Sequence, residues 1–207
     1  FFFGGMRSDQ HAVAASALGL LDHQVWQIIE DVLEVFWLAA LPRGDIFQDR
    51  FFAQINGMTY GDSAEQGFVR DNRFIHPKLR FAFTAPDGFR ITNAAQAVMA
   101  AGPGGSGLIF DGARDPGGSL ERYIQRDWAA GIAQQTRTGE LRNLRRGRID
   151  GMEAAQAEMP VATQQGTKLA RFTVIRRDGT LYRFLGLEPQ NARGVGAALD
   201  RSALSFE

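Results

Sequence analysis

Cysteine is missing altogether from the 207 residues, which excludes disulfides, thiolate metal sites and cysteine nucleophiles and leaves the redox compartment open. Net charge is missing too: 23 basic residues balance 23 acidic ones, so no global field draws in nucleic acid, anionic lipid or acidic substrate, and an electrostatic partner has to be met by a local patch. Long apolar runs are lacking. The stretch Ala12 to Leu21 falls well short of the ~20 residues that a membrane span needs, and Asp22 and His23 follow it directly. Arg7 gives only a weak basic flank, and no small-residue cleavage site follows, so a secretory signal is not read here. No repeat of fixed period occurs. The opening "FFFGGMRSDQ" and the close "ALSFE" read as the ends of a piece of a longer chain.

What is present is an ordinary globular composition, 44% hydrophobic, enough for one substantial core. Val25, Ile28, Ile29, Val32, Val35, Phe36 and Ala39 recur at three- and four-residue spacings and predict a helix, which "LPRGD" stops. We therefore expect an N-terminal helical segment or linker over 1–41 and a domain over 45–207. A short amphipathic stretch, "IFQDRFFAQI", and the turn-rich "NGMTYGDSAEQG" open that domain. Leu79, Phe81 and Phe83 alternate with Arg80, Ala82 and Thr84, which predicts a half-buried strand with the apolar three inward, ended by Pro86 and Asp87-Gly88. "AAQAVMAA" and "GLIFDGA" predict two more strands joined by "GPGG". Ser119 suits a helix N-cap, and Leu120, Ile124, Trp128 and Ile132 then make one apolar stripe. Two β-rich segments follow, the second a hairpin turning at Asp178-Gly179 with apolar residues on both faces, and "ARGVGAALDRSALSFE" suits a final helix. Strands, one long helix, then more strands imply an α+β fold: an antiparallel sheet with the helix packed on it.

Reactive motifs are few. "GPGGSG", residues 102–107, fits G-x-G-x-x-G, but strand-like "LIFDGA" follows where a dinucleotide loop needs a helix, so a glycine-rich turn is the better reading. His11, His23 and His76 are the three histidines, and none lies in an H-E-x-x-H pattern that would bring two of them and a glutamate to a zinc ion. His76 precedes Pro77 beside a strand and reads, with Arg73, as a residue that ties down the loop before it. Ser106 sits outside any G-x-S-x-G elbow and has no evident histidine partner. The acid pair Glu30 and Asp31, and the scattered Asp111, Asp115 and Asp127, read as solvated surface. Arg142, Arg145, Arg146 and Arg148 in "LRNLRRGR" form the one basic cluster; without interleaved aromatics it reads as a solvent-facing loop, with protein docking left open.

An ordered succession of motifs carries more. "YGD", "QGFVR", "F-x-HP", "FAFTAPDGFR" and "N-x-x-x-AV" run through residues 60–99, and "RIDGMEAAQAEMPVATQQGTKLARFTVIRRDGTLYRFLGL" follows. This succession resembles the segment beyond the catalytic domain in BepA-like bacterial zinc metallopeptidases, peptidase family forty-eight, over roughly residues 45–207. In that family zinc is held by an H-E-x-x-H helix and a later glutamate upstream of the part seen here. The resemblance thus implies no catalytic, cofactor-binding or metal-binding residue in this chain, zinc in the parent protein, and an upstream peptidase domain as partner. It implies a periplasmic or envelope location, with protein substrates or envelope proteins as further partners; the balanced charge and short apolar runs add the expectation of no nucleic acid and no transmembrane segment. The expected role is a noncatalytic accessory domain in envelope protein quality control; the alternative is a freestanding module that binds an envelope protein or ligand. An independent hydrolase using Ser106 or His76 ranks last. The pattern of sheet and covering helix is similar to PsbP-like domains.

Overall fold

Consecutive buried residues, 172–175 and 181–187, put side chains on both faces of a sheet, so both faces have to be covered. The computed structural model describes residues 66–93, 97–134, 136–163 and 166–207. The expected N-terminal helix, its boundary at "LPRGD", the amphipathic stretch after it, His11, His23, Glu30 and Asp31 all lie outside the described residues.

Strands β1 (Phe68–Arg70), β2 (Arg73–His76) and β3 (Phe81–Thr84) form a small sheet in that order. Strands β4 (Arg90–Asn93), β5 (Val98–Ala101), β6 (Gly107–Arg114), β7 (Arg142–Ile149), β8 (Met152–Thr163), β9 (Gly166–Arg177) and β10 (Thr180–Pro189) form a larger one, ordered β4-β5-β6-β10-β9-β8-β7. Every pairing within both sheets is antiparallel. Two helices complete the α+β fold. The first, α1, is continuous through Leu120–Tyr123, Ile124–Trp128 and Ala129–Ala133, and the second, α2, spans Val195–Leu204.

The two faces of the large sheet hold separate cores. On one, α1 lays Leu120, Ile124 and Trp128 over Ala157, Phe172, Val174, Leu181 and Leu185. The middle segment of α1 is a π-helix. Its wider turn keeps a strict four-residue repeat in line where 3.6-residue turns would rotate it off the sheet. Ser119 Oγ accepts from the Arg122 amide and caps the helix as expected. On the other face, Phe74, Phe81, Phe83, Phe110, Phe184 and Phe206 meet Tyr182 under the small sheet and α2. Neighbouring rings lie 4.7–6.1 Å apart, and each buried phenylalanine contributes roughly 1.5–3 kcal/mol by leaving water. The hairpin at Asp178-Gly179 and the covering of both its faces follow the sequence reading. So do the strands β5 and β6, the glycine-rich turn between them and the final helix.

Three local expectations are corrected. Leu79 does not face inward: it is 51% exposed, because Pro77–Arg80 form a turn in which the Leu79 amide donates to His76 Nδ1 and Arg80 takes φ 55°. The alternation therefore starts at Phe81. "FIHPKLRFAFTAPDGFR" is a strand, a turn and a second strand rather than the start of one strand. The basic cluster is no loop: Arg142 to Arg148 lie on β7, the outermost strand of the large sheet.

Candidate functional surface and buried polar groups

Each residue weighed for chemistry has a definite place. Ser106 is completely buried and its Oγ donates to the Pro103 carbonyl at 2.7 Å. That hydroxyl holds the 3-10 turn Pro103–Gly105 and is not presented to a substrate. His76 ends β2, stacks near Phe81 at 5.2 Å and accepts from Leu79. Arg73 does not hold the preceding loop; it forms an ion pair with Glu207, which joins β2 to the residue after α2. The structure does not combine these three into one site.

The aspartates are not all solvated surface. Asp111 receives two hydrogen bonds from Arg183, whose side chain is only 3% exposed. Arg183 also donates to Tyr123 Oη at 3.0 Å and lies over the Trp128 ring at 5.4 Å. Burial opposes the charge on Arg183, but Asp111 and Tyr123 outweigh it and hold the guanidinium above its ordinary range. The same burial raises the Tyr123 phenol. Asp115 pairs with Arg176 through two hydrogen bonds, which hold its carboxyl below the usual carboxylate range against a smaller opposing effect of burial. Asp127 is exposed, as expected.

These buried ions were hidden in the sequence because the partners stand far apart in it. Arg183 and Asp111 are separated by 72 positions and meet only through the pairing of β10 with β6. Arg171 is a second case: it pairs with Glu158, Glu188 and Asp200, tying β8, β10 and α2 to β9. Lys168 Nζ donates to the Gly105 carbonyl at 2.6 Å, and burial pushes its ammonium below the ordinary range. All of these groups satisfy one another within the domain, and among the described residues no buried side-chain nitrogen or oxygen lacks a partner. No group of three or more His, Cys, Asp or Glu that could hold a metal ion occurs among the described residues. No helix among them is long and apolar enough to cross a membrane.

Two surface features remain. One is a cleft of about 460 Å³ between the small sheet and the large one, whose lining includes Phe74, Phe81, Phe110, Tyr182 and the exposed Leu79. The other is β7. Seven of its eight residues are exposed, from Arg142 to Arg148, and only Ile149 is buried. Arg146 forks onto Glu121 of α1 at 2.9 and 3.1 Å. Arg145 donates to Gln156 Oε1 and Arg148 to the Gly151 carbonyl, both neutral acceptors.

A seven-stranded antiparallel sheet, with a long helix on one face and a three-stranded sheet plus a short helix on the other, defines the structural class. Among solved structures, the cyanobacterial PsbP protein (CyanoP) of Synechocystis sp. PCC 6803 overlays at a TM-score of 0.52 and 18% identity, covering 68% of this chain and 95% of its own. That likeness shows the fold alone. Lower overlaps are found with the Ran-binding protein Mog1p of Saccharomyces cerevisiae, at a TM-score of 0.48, 9% identity and 68% and 96% coverage, and with a Bacteroides thetaiotaomicron VPI-5482 protein, at 0.44, 10%, and 67% and 48%. No family model matches the chain, and no curated protein matches it by sequence.

Proposed function

We propose that this domain is a noncatalytic accessory part of a zinc metallopeptidase, placing protein substrates or partners beside an upstream catalytic domain in envelope protein quality control. One observation carries the reading. The apolar and turn-forming residues of the motif succession that resembles the segment beyond the catalytic domain of BepA-like peptidases go into architecture where they are described. Phe74, Phe81, Phe83 and Ala85 enter the core. Gly67 lies against the Phe74 ring, and Pro86 to Phe89 make the closing turn with the Phe89 amide on the Pro86 carbonyl. Asn93 donates to the carbonyls of Gln66 and Gly67. Residues chosen in this way hold a scaffold and leave the outer surface to do the work. The zinc that the resemblance implies belongs to an H-E-x-x-H helix, a pattern not found in this sequence.

Two experiments test the reading. The genomic reading frame upstream of residue 1 is expected to encode an H-E-x-x-H helix in frame, and a frame without one sinks the proposal. The purified 207-residue chain is expected to retain no stoichiometric zinc after dialysis and to leave casein intact; one tightly held equivalent of zinc would show that the chain carries its own metal ligands.

The cleft favours a second reading, a freestanding module for an envelope protein or ligand. Its volume lies within the ~300–1,000 Å³ of small-molecule sites, and Phe74, Phe81, Phe110 and Tyr182 stand in its lining beside polar groups such as Asn93 and Asp111. Saturable binding of an apolar fluorescent probe, abolished by Phe81→Ser in a variant that still folds, would favour that reading when no peptidase helix lies upstream.

A further inference from the structure

The large sheet ends at β7, and no described residue pairs with the far side of that strand. An edge of this kind presents unpaired amide and carbonyl groups that a further strand can take up. We propose that the free edge of β7 binds an acidic, extended protein segment as an added strand. The inference stands on the strand itself and holds whether or not a peptidase domain is attached.

Charge selects the occupant. β7 reads "RNLRRGRI", four arginines and no acid. Of the four, only Arg146 has a carboxylate within ion-pairing distance among the described residues. Arg145 and Arg148 meet neutral oxygens, and Glu158, which lies opposite Arg142 in register, pairs instead with Arg171 and Asn143. In a chain of zero net charge this is a local excess of positive charge. The arginines also project to both sides of the sheet. Arg146 reaches α1, while Arg145 lies beside Gln156 on the opposite face, so acids at successive positions of an added strand meet a guanidinium on either side. A second copy of β7 is excluded as occupant, because pairing it with itself would set arginine against arginine. Nucleic acid fits less well: β7 has no aromatic residue on which bases could stack, and phosphates cannot feed the strand's carbonyls.

Gly147 is a second, independent observation. Its backbone is not in the left-handed region, and a Cβ built on it would meet nothing within 4 Å. Neither turn chemistry nor packing among the described residues requires glycine there. Glycine inside a strand costs stability and marks places where another backbone comes close, and here that backbone belongs to the partner. The register shift between Arg142 and Arg145 limits the regular edge to Arg145–Ile149, a window of roughly 17 Å.

The test uses the 207-residue chain and three fluorescein-labelled octapeptides: glutamate pairs alternating with valine pairs, which set acids on both faces of the strand, the same peptide with alternate amides N-methylated, and its counterpart with lysine in place of glutamate. Fluorescence anisotropy at low ionic strength is expected to show saturable binding of the first alone, weakening as salt is raised toward ~150 mM. N-methylation is expected to weaken it on the order of tenfold or more, since it removes the backbone ladder. Gly147→Glu, whose Cβ meets no described atom within 4 Å, is expected to weaken it to a similar degree without lowering the melting temperature. Arg145→Gln with Arg148→Gln provides a second variant should Gly147→Glu fail to fold. Equal binding of the N-methylated peptide would reduce β7 to a charge patch and overturn strand addition. So would equally tight capture of a single-stranded oligonucleotide or phosphatidylglycerol vesicles, or no binding of the acidic peptide at millimolar concentration.

Discussion

The two edges of the seven-stranded sheet are treated in opposite ways. β4 is only four residues long, and Asn93 fastens it to the carbonyls of Gln66 and Gly67 at the start of the small sheet. β7 is eight residues long, exposed on both faces, and coated with arginine. Short edges, covered edges and charged edges all prevent indiscriminate strand pairing, but they differ in what they leave possible. A covered edge is closed to every partner. A charged one is closed only to partners of the wrong sign. The β4 edge is thus short and tied by Asn93 to the start of the small sheet, while β7 is left as a selective surface.

Breaking the closed side has the largest expected effect. Phe74 is 2% exposed and lies 5.6 Å from the Phe83 ring and 5.9 Å from Phe81. Phe74→Ala is expected to cost about 3–5 kcal/mol in urea unfolding. A loss below about 1 kcal/mol would mean that the small sheet does not share the core's cooperativity. Gly67→Ala attacks the same contact from the backbone. Gly67 holds φ +88°, and an added Cβ would come within 2.5 Å of Phe74 Cζ and 2.9 Å of the Ile75 carbonyl. Strain and overpacking together are expected to cost about 2–3 kcal/mol. Asn93→Ala leaves the Gln66 and Gly67 carbonyls without their side-chain donor, and a loss of about 1–2 kcal/mol is expected.

How far this contrast could be read from the sequence depended on the range of the interaction. Local rules found the Ser119 cap, the Asp178-Gly179 hairpin and the apolar stripe of α1, because each is decided within a few residues. They failed at Leu79, where a turn resets the alternation, and at Asp111 and Asp115, whose partners lie 72 and 61 positions away. The arginine run was visible as charge. That it forms an edge strand was not, because a run of arginines carries no period-two apolar signal and, among the described residues, β7 finds its backbone ladder only on the distant β8. The open side is thus the part of the surface least legible in advance.

On the open side the expected effects are small, and acid exposes one of them. Glu121 accepts two hydrogen bonds from Arg146, and these, chiefly, hold its carboxyl below the usual carboxylate range. A carboxylate depressed in the folded state adds stability above its unfolded pKa and loses it as pH falls through the folded one. Glu121→Gln is therefore expected to cost about 0.5–1 kcal/mol at neutral pH. The difference from the parent should shrink as pH falls below the unfolded glutamate value of about 4.3 and vanish only once pH is below the depressed folded value. A difference that persists in acid would place the effect in packing of α1 and not in the ion pair.

Gly147→Ala sharpens the contrast most because its sign is opposite to that at Gly67. Both are glycines beside an edge of the fold. Gly67 has a ring against it and a left-handed backbone, whereas Gly147 has open space and ordinary strand geometry. Alanine at 147 narrows the unfolded ensemble without touching the folded one, so a gain of about 0.4 kcal/mol is expected, read as a small rise in Tm. If Gly147→Ala destabilises instead, something in the full chain already lies against β7, and the edge is closed. If it stabilises, the domain keeps a residue that weakens its own strand, and the reason for keeping it has to come from whatever approaches from outside.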